Sequence, residues 1–466
     1  MEEGKITVRN VLWCAAAFTS YTFMSTLSAM EITGAARRYC VNPHISVSYA
    51  MLLFSTAAGF ILFGLLYKKW PTPGAYITPS ACIVIISMLA VYFFPISSLI
   101  RIIMILCPLS TGVIGGSVYF QAAEILHKSK HLGLTIGGAY GTSVIIQFIV
   151  QTFAKSSVVH LILIIMTVCV IAIWEMRITD ISGACDMDAA EDGITAADEG
   201  SVSKKNLWLL AVTVAAVALM TGIYDGLAAE LEAVEKMNLA GWPRILLGLG
   251  TFAAGYLYDV WHRRYLNIAV LCVAIINTLN VLLLSSEHTY MLSQTLTYAS
   301  MGFYIVYLMV SFMNAAPGSK EPALWAGAGR TSYLIAMSVT TPLATYFARS
   351  SNVAMYMIMM VLLIIVFLMF VMNGGLAVQK EKIESPKEIS TEEKIKAFAQ
   401  QYGLTPRENE VLAAVSSSER TLAAIASEMG ISERVLQRHL SSIYKKTGTQ
   451  TRNGLTLALH GAKRNK

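Results

Sequence analysis

Twelve runs of predominantly apolar residues, each about as long as a bilayer is thick, limit what this chain can become. A hydrocarbon core of about 30 Å needs about 20 such residues per helix. The runs fall near 11–30, 45–67, 76–95, 99–123, 132–154, 157–176, 206–229, 243–261, 265–285, 290–314, 323–348 and 352–375. Of the 466 residues 55% are apolar or aromatic and 14% charged, against roughly a quarter charged in soluble domains. A soluble enzyme is excluded. The first run is as long as a full span and no small-residue cleavage site follows it, which predicts an uncleaved helix rather than a signal peptide. The seven cysteines show no C-x-x-C spacing, so neither a disulfide scaffold nor a zinc ribbon is expected. Cys14, Cys82, Cys107, Cys169 and Cys272 sit inside apolar runs and read as small hydrophobes.

The net charge of +6 is unevenly spread: residues 380–466 hold 15 Lys/Arg and 10 Asp/Glu, and so carry +5 of it. With the N-terminus in the cytoplasm, inner loops hold twelve basic residues and outer loops six, in line with the positive-inside bias. Twelve spans then return the C-terminal region to the cytoplasm. Residues 178–203 carry seven acidic residues, three glycines and no base, a composition that cannot bury a core. The expected organisation is a six-span bundle (1–177), an acidic cytoplasmic linker (178–205), a second six-span bundle (206–376), a charged linker (377–402) and a compact domain (403–466).

Ionisable residues inside apolar runs are costly unless paired or hydrated, which makes them candidate functional groups. Arg101, Asp225 with its neighbour Tyr224 in T221-G-I-Y-D-G226, and Arg330 are the main cases. Arg330 follows the small-residue run A326-G-A-G329, which lets helices approach closely. For Asp225 and Arg330 two readings stand: walls of a ligand cavity, or a buried ion pair that fixes packing. Glu31 and Glu124 are expected at span ends. Tyr298, Tyr304 and Tyr307 could line a pocket or pack ordinarily.

At an offset near 190 the two halves repeat: G64-L-L-Y-K-K-W70 aligns with G255-Y-L-Y-D-V-W261, and G138-A-Y-G-T-S143 with G327-A-G-R-T-S332. Duplicated six-helix units commonly enclose a central cavity. The segment G255-Y-L-Y-D-V-W-H-R-R264 resembles the loop signature of the major facilitator superfamily. That resemblance implies an all-α bundle of six plus six helices, with Asp259, Arg263 and Arg264 at an inner-side gate. The first copy departs from the signature, with Lys68 in the acid's place.

Beyond the last run the pattern is that of small helices. T405-P-R-E408 is a capping box with proline at the first helical position. A second helix from about Thr421 is stopped by Gly430. Ser432 caps a third helix with its apolar stripe at Leu436, Leu440 and Ile443 and its end at Gly448, and Arg452–His460 forms a fourth. Helix, short turn, helix is a geometry that seats a recognition helix in the major groove. L404-T-P-R-E-N-E-V-L412, I425-A, I431-S-E-R-V-L-Q-R-H-L-S-S-I-Y-K-K446 and T451-R452 resemble the LuxR/FixJ-type helix-turn-helix. The resemblance implies double-stranded promoter DNA as a partner and dimers when DNA-bound, with Arg452–His460 as pairing surface. The stripe leaves Gln437, Arg438 and Ser441 outward, where Arg can fork to guanine and Gln to adenine. Arg434, Lys445, Lys446, Arg420 and Arg452 are candidates for phosphate contact.

These readings converge on a membrane-embedded one-component transcriptional regulator of the bacterial cytoplasmic membrane, both termini cytoplasmic, that senses an unidentified small molecule. The alternative is a secondary transporter with a regulatory DNA-binding tail. No nucleophile–base pair, phosphate loop or metal spacing stands out, so neither enzymatic activity nor a cofactor or metal is expected.

Overall fold

Backbone amides in lipid must find partners within their own segment, and long unbroken helices are the result. The computed structural model describes residues 8–40, 45–72, 74–126, 129–154, 156–189, 204–233, 236–238, 241–261, 263–284, 286–348, 352–372, 391–416 and 421–461. The side chains of Arg263, Arg264 and Arg420 lie outside the described residues. The chain divides into two compact units, Met1–Ala377 and Val378–Lys466.

The first unit contains α1 (Val8–Tyr39), α2 (Ile45–Lys69), α3 (Gly74–Phe93), α4 (Ser97–Leu126), α5 (Leu132–Phe153) and α6 (Ser157–Ala189) in its first half. The second half holds α7 (Lys204–Ala233), α8 (Arg244–Trp261), α9 (Arg263–Leu283), α10 (Tyr290–Ala315), α11 (Pro322–Ala326), α12 (Ala328–Ala348) and α13 (Asn352–Met372). Each apolar run thus coincides with a helix, although the run at 323–348 is broken at Gly327 into α11 and α12. Among the described residues, eight helices are long and apolar enough to cross a membrane: α2 to α7, α10 and α13. α1, α8 and α12 donate polar residues to an internal cavity, which lowers their hydropathy without removing them from the bundle. α6 runs to Ala189, twelve residues into the segment expected to be linker. Apolar faces that do not meet lipid meet each other: Phe18, Tyr21, Phe60 and Tyr119 form an aromatic cluster joining α1, α2 and α4, with ring centroids 5.0 to 6.3 Å apart. Such contacts contribute roughly 0.5–1.5 kcal/mol per pair beyond burial.

The second unit consists of α14 (Thr391–Gln401), α15 (Pro406–Ser416), α16 (Leu422–Glu428), α17 (Glu433–Thr447) and α18 (Arg452–Gly461). Its core joins Ile395 and Phe398 of α14 to Val411, Leu412 and Val415 of α15, Ile425, the Leu436–Leu440–Ile443 stripe, and Leu455 and Leu459. α14 lies in the stretch expected to be a charged linker.

Candidate functional site

A cavity of about 540 Å³ lies between the two halves of the first unit. Its wall is built from the later parts of α1 and α7 and the earlier parts of α2, α8 and α10, with Tyr140 of α5 and Arg330, Tyr333 and Thr341 of α12. Successive helices alternate in direction, so these pieces meet toward the end where α1 and α7 finish. Asp225, Tyr224 and Arg330 all line it, as their placement in apolar runs suggested. They do not form the buried ion pair that was the other reading: neither Asp225 nor Arg330 has an oppositely charged side chain within salt-bridge distance among the described residues. The Arg330 guanidinium instead lies over the Tyr333 ring, 5.1 Å from its centroid.

Arg101 is a correction. It is exposed near the start of α4, where it donates to the Ser97 hydroxyl at 3.2 Å, and it is not among the cavity-lining residues. A long side chain within a turn of a helix end can reach water, and burial is not required of it. Tyr298 lines the cavity, whereas Tyr304 donates to the Val214 carbonyl at 2.6 Å and Tyr307 packs toward Phe370. Arg244, at the start of the apolar run 243–261, is a further lining residue, and its Nη1 donates to Gln151 Oε1 at 2.8 Å. Glu31, expected as an ordinary span end, meets His160 of α6 at 2.6 Å.

At the opposite end the two halves touch through both copies of the repeat. Asp259, in the last turn of α8, accepts from the backbone N–H groups of Gly133 at 2.8 Å and Leu134 at 2.7 Å. Those are the first amides of α5, which have no partner within the helix and favour a negative charge. Gly133 and Gly255 allow the approach: a Cβ on Gly133 would fall 2.6 Å from the Gly255 carbonyl oxygen. In the first copy Lys68, at the end of α2, pairs with Glu321, the N-cap of α11, at 2.9 Å. The charge at the repeat position is reversed and so is its partner's.

In the second unit α17 is capped by Ser432, whose hydroxyl accepts from the Val435 amide, and ends at Gly448 with φ +71°. Leu436, Leu440 and Ile443 are buried, and Ser432, Glu433, Arg434, Gln437, Arg438, Ser441 and Lys445 are exposed. α16 and the turn with Gly430 precede it, forming a helix-turn-helix. Two of the basic candidates for phosphate contact are engaged within the unit. Lys446 donates to Glu408 at 2.7 Å and to the Gly403 carbonyl at 3.2 Å, and Arg452 to the Val415 carbonyl at 3.1 Å.

Residues 403–459 match the family model of the bacterial regulatory proteins of the luxR family. Among solved structures the chain is similar to the human organic anion transporter MFSD10 (TETRAN), with 12% identity, a TM-score of 0.55, and coverage of 77% of this chain and 98% of that one. No curated protein matches the chain. Residues 403–459 are thus a helix-turn-helix of the luxR type, joined to a helical bundle that shares its fold with that solved transporter.

Proposed function

We propose that this chain is a membrane-embedded one-component transcriptional regulator, in which the cavity of the first unit binds a small molecule and the second unit binds promoter DNA. The observation that carries the reading is the join itself: a DNA-binding domain on the same polypeptide as a transporter-like cavity. All twelve apolar runs span the bacterial cytoplasmic membrane in this reading, both termini are cytoplasmic, and the cavity opens away from the cytoplasm. Ligand binds one arrangement of the two halves more tightly than another, and only that difference in affinity can shift the equilibrium. The shift alters how the helix-turn-helix is presented or paired. Gln437, Arg438 and Ser441 read bases, while Arg434, Lys445 and Arg420 contact phosphates.

Chromatin pull-down of the full-length protein, with Arg438→Ala as the control, tests the reading. Enrichment of a few promoters that disappears in the variant is expected; equal enrichment by both would refute α17 as the recognition helix. A second reading, a secondary transporter with a regulatory tail, is favoured by the Asp259 contact at the family's gate position. It requires substrate uptake that survives deletion of residues 380–466 and fails in Asp259→Asn.

A further inference from the structure

Of the charged side chains that line the cavity, which also include Arg37, Glu232 and Arg244, Asp225 and Arg330 lie inside apolar runs at different depths, neither with an oppositely charged side chain within salt-bridge distance among the described residues. Arg330 lies in the first turn of α12. Asp225 lies level with a later part of that helix, because its neighbours Gly222 and Gly226 pack against Thr340, Thr341 and Ala344. Thr341 stands eleven positions beyond Arg330, about 16 Å of helical rise. The guanidinium leans over Tyr333, one turn nearer to Asp225, which leaves a gap on the order of 10 Å, a few residues of extended chain. The wall between carries Tyr49, Tyr333 and Leu334. On the part of α12 level with Asp225 the Thr341 hydroxyl is buried and finds no hydrogen-bond partner among the described residues. Ionisable groups held unpaired in a membrane bundle are costly to keep and mark ligand contacts.

We infer that the cavity takes an elongated dipolar molecule, its anionic end on Arg330, its cationic end on Asp225, and an apolar or aromatic body against the tyrosines. The inference rests on the cavity being the sensory site. It concerns binding alone, so it can fail while the promoter reading stands, and the reverse. The two charges divide the work of recognition. A guanidinium offers paired N–H donors to a carboxylate, and a carboxylate, which only accepts, suits an ammonium, which has three donors to give. Molecules with one charge leave the other cavity charge uncompensated.

The test uses the purified full-length protein and the tripeptide Ala-Phe-Ala, whose termini are separated by about the required distance, with its N-acetylated and C-amidated forms. The free tripeptide is expected to raise the unfolding temperature by about 3 °C at saturation, and each capped form to bind about tenfold more weakly. Asp225→Asn should lose the preference for a free amine and keep that for a free carboxylate; Arg330→Gln should do the opposite. Without peptide, both variants should unfold at or above the wild-type temperature, because each removes an unpaired charge. Three results would overturn the inference: no shift with any form, equal shifts with capped and free forms, or variants that unfold well below wild type and are rescued by the exchanged pair Asp225→Arg/Arg330→Asp.

Discussion

Glu408 illustrates how much one side chain can hold in the DNA-binding unit. It accepts from the Thr405 amide at 2.7 Å and from the Ser442 hydroxyl at 2.6 Å, and pairs with Lys446 at 2.7 Å, closing the capping box foreseen in T405-P-R-E408 and tying α15 to α17. Burial alone would raise its pKa, but the hydrogen bonds from Lys446, Ser442 and Thr405 outweigh that and hold it at about 2. A carboxylate depressed on folding contributes stability that is present above its unfolded value, near 4.5, and is lost as pH falls toward about 2. Glu408→Gln should therefore flatten the acid limb of the unfolding curve over that window and cost about 2 kcal/mol at neutral pH. Urea unfolding of the C-terminal unit from pH 7 to 2 checks this, and an unaltered acid limb would remove Glu408 from the account. The same contacts explain why the phosphate candidates were only partly legible. Helical spacing says which face Lys446 and Arg452 occupy, but not that acceptors 38 and 37 residues away will meet them there. Arg434, Arg438 and Lys445 have no such neighbour among the described residues and stay exposed, as the stripe dictates.

Among elements, α17 was readable almost residue by residue, because Ser432 and Gly448 mark its ends with side-chain and backbone chemistry that no neighbour supplies. α14 was not, although Ile395, Phe398, Ala399 and Tyr402 recur at i, i+3, i+4 and i+7. Dense charge in T391-E-E-K-I-K396 hid that stripe, and only the presence of a core to receive it distinguishes a packed amphipathic helix from a solvated linker. Phe398, 2% exposed in the core, decides the matter energetically. Its replacement by Ala should cost about 3 kcal/mol or more, and a fragment beginning at residue 403 should unfold at distinctly lower urea than one beginning at residue 391. Equal midpoints would mean that α14 packs without stabilising. In the first unit the apolar runs fixed the helices but not their ends, since α1 and α6 continue well past the hydrocarbon-length stretch.

At the scale of the whole bundle both copies of the repeat take part in contacts that neither half makes alone. Asp259 meets the start of α5 and Lys68 meets the start of α11, both joining the halves at the end away from the cavity. The reversed charge at Lys68 looked like a lost gate in sequence, because its partner at Glu321 lies in the other half and only the fold brings them together. The two contacts differ in strength: Lys68 and Glu321 are 72% and 44% exposed, and such pairs contribute at most about 1 kcal/mol, whereas a carboxylate on partly buried helix amides contributes about 1–2 kcal/mol. Asp259→Ala should therefore shift the balance between arrangements several-fold away from the one with this end closed, and Lys68→Ala much less. A Thr26→Cys probe on the cavity wall, in a background without the native cysteines, reports this through its rate of maleimide labelling. The rate should fall several-fold with Asp259→Ala, change little with Lys68→Ala, and fall with Lys68→Glu, which sets two acids together. Adding Glu321→Lys to Lys68→Glu should restore it, because the closure depends on opposite charges across the halves and not on which half carries which sign.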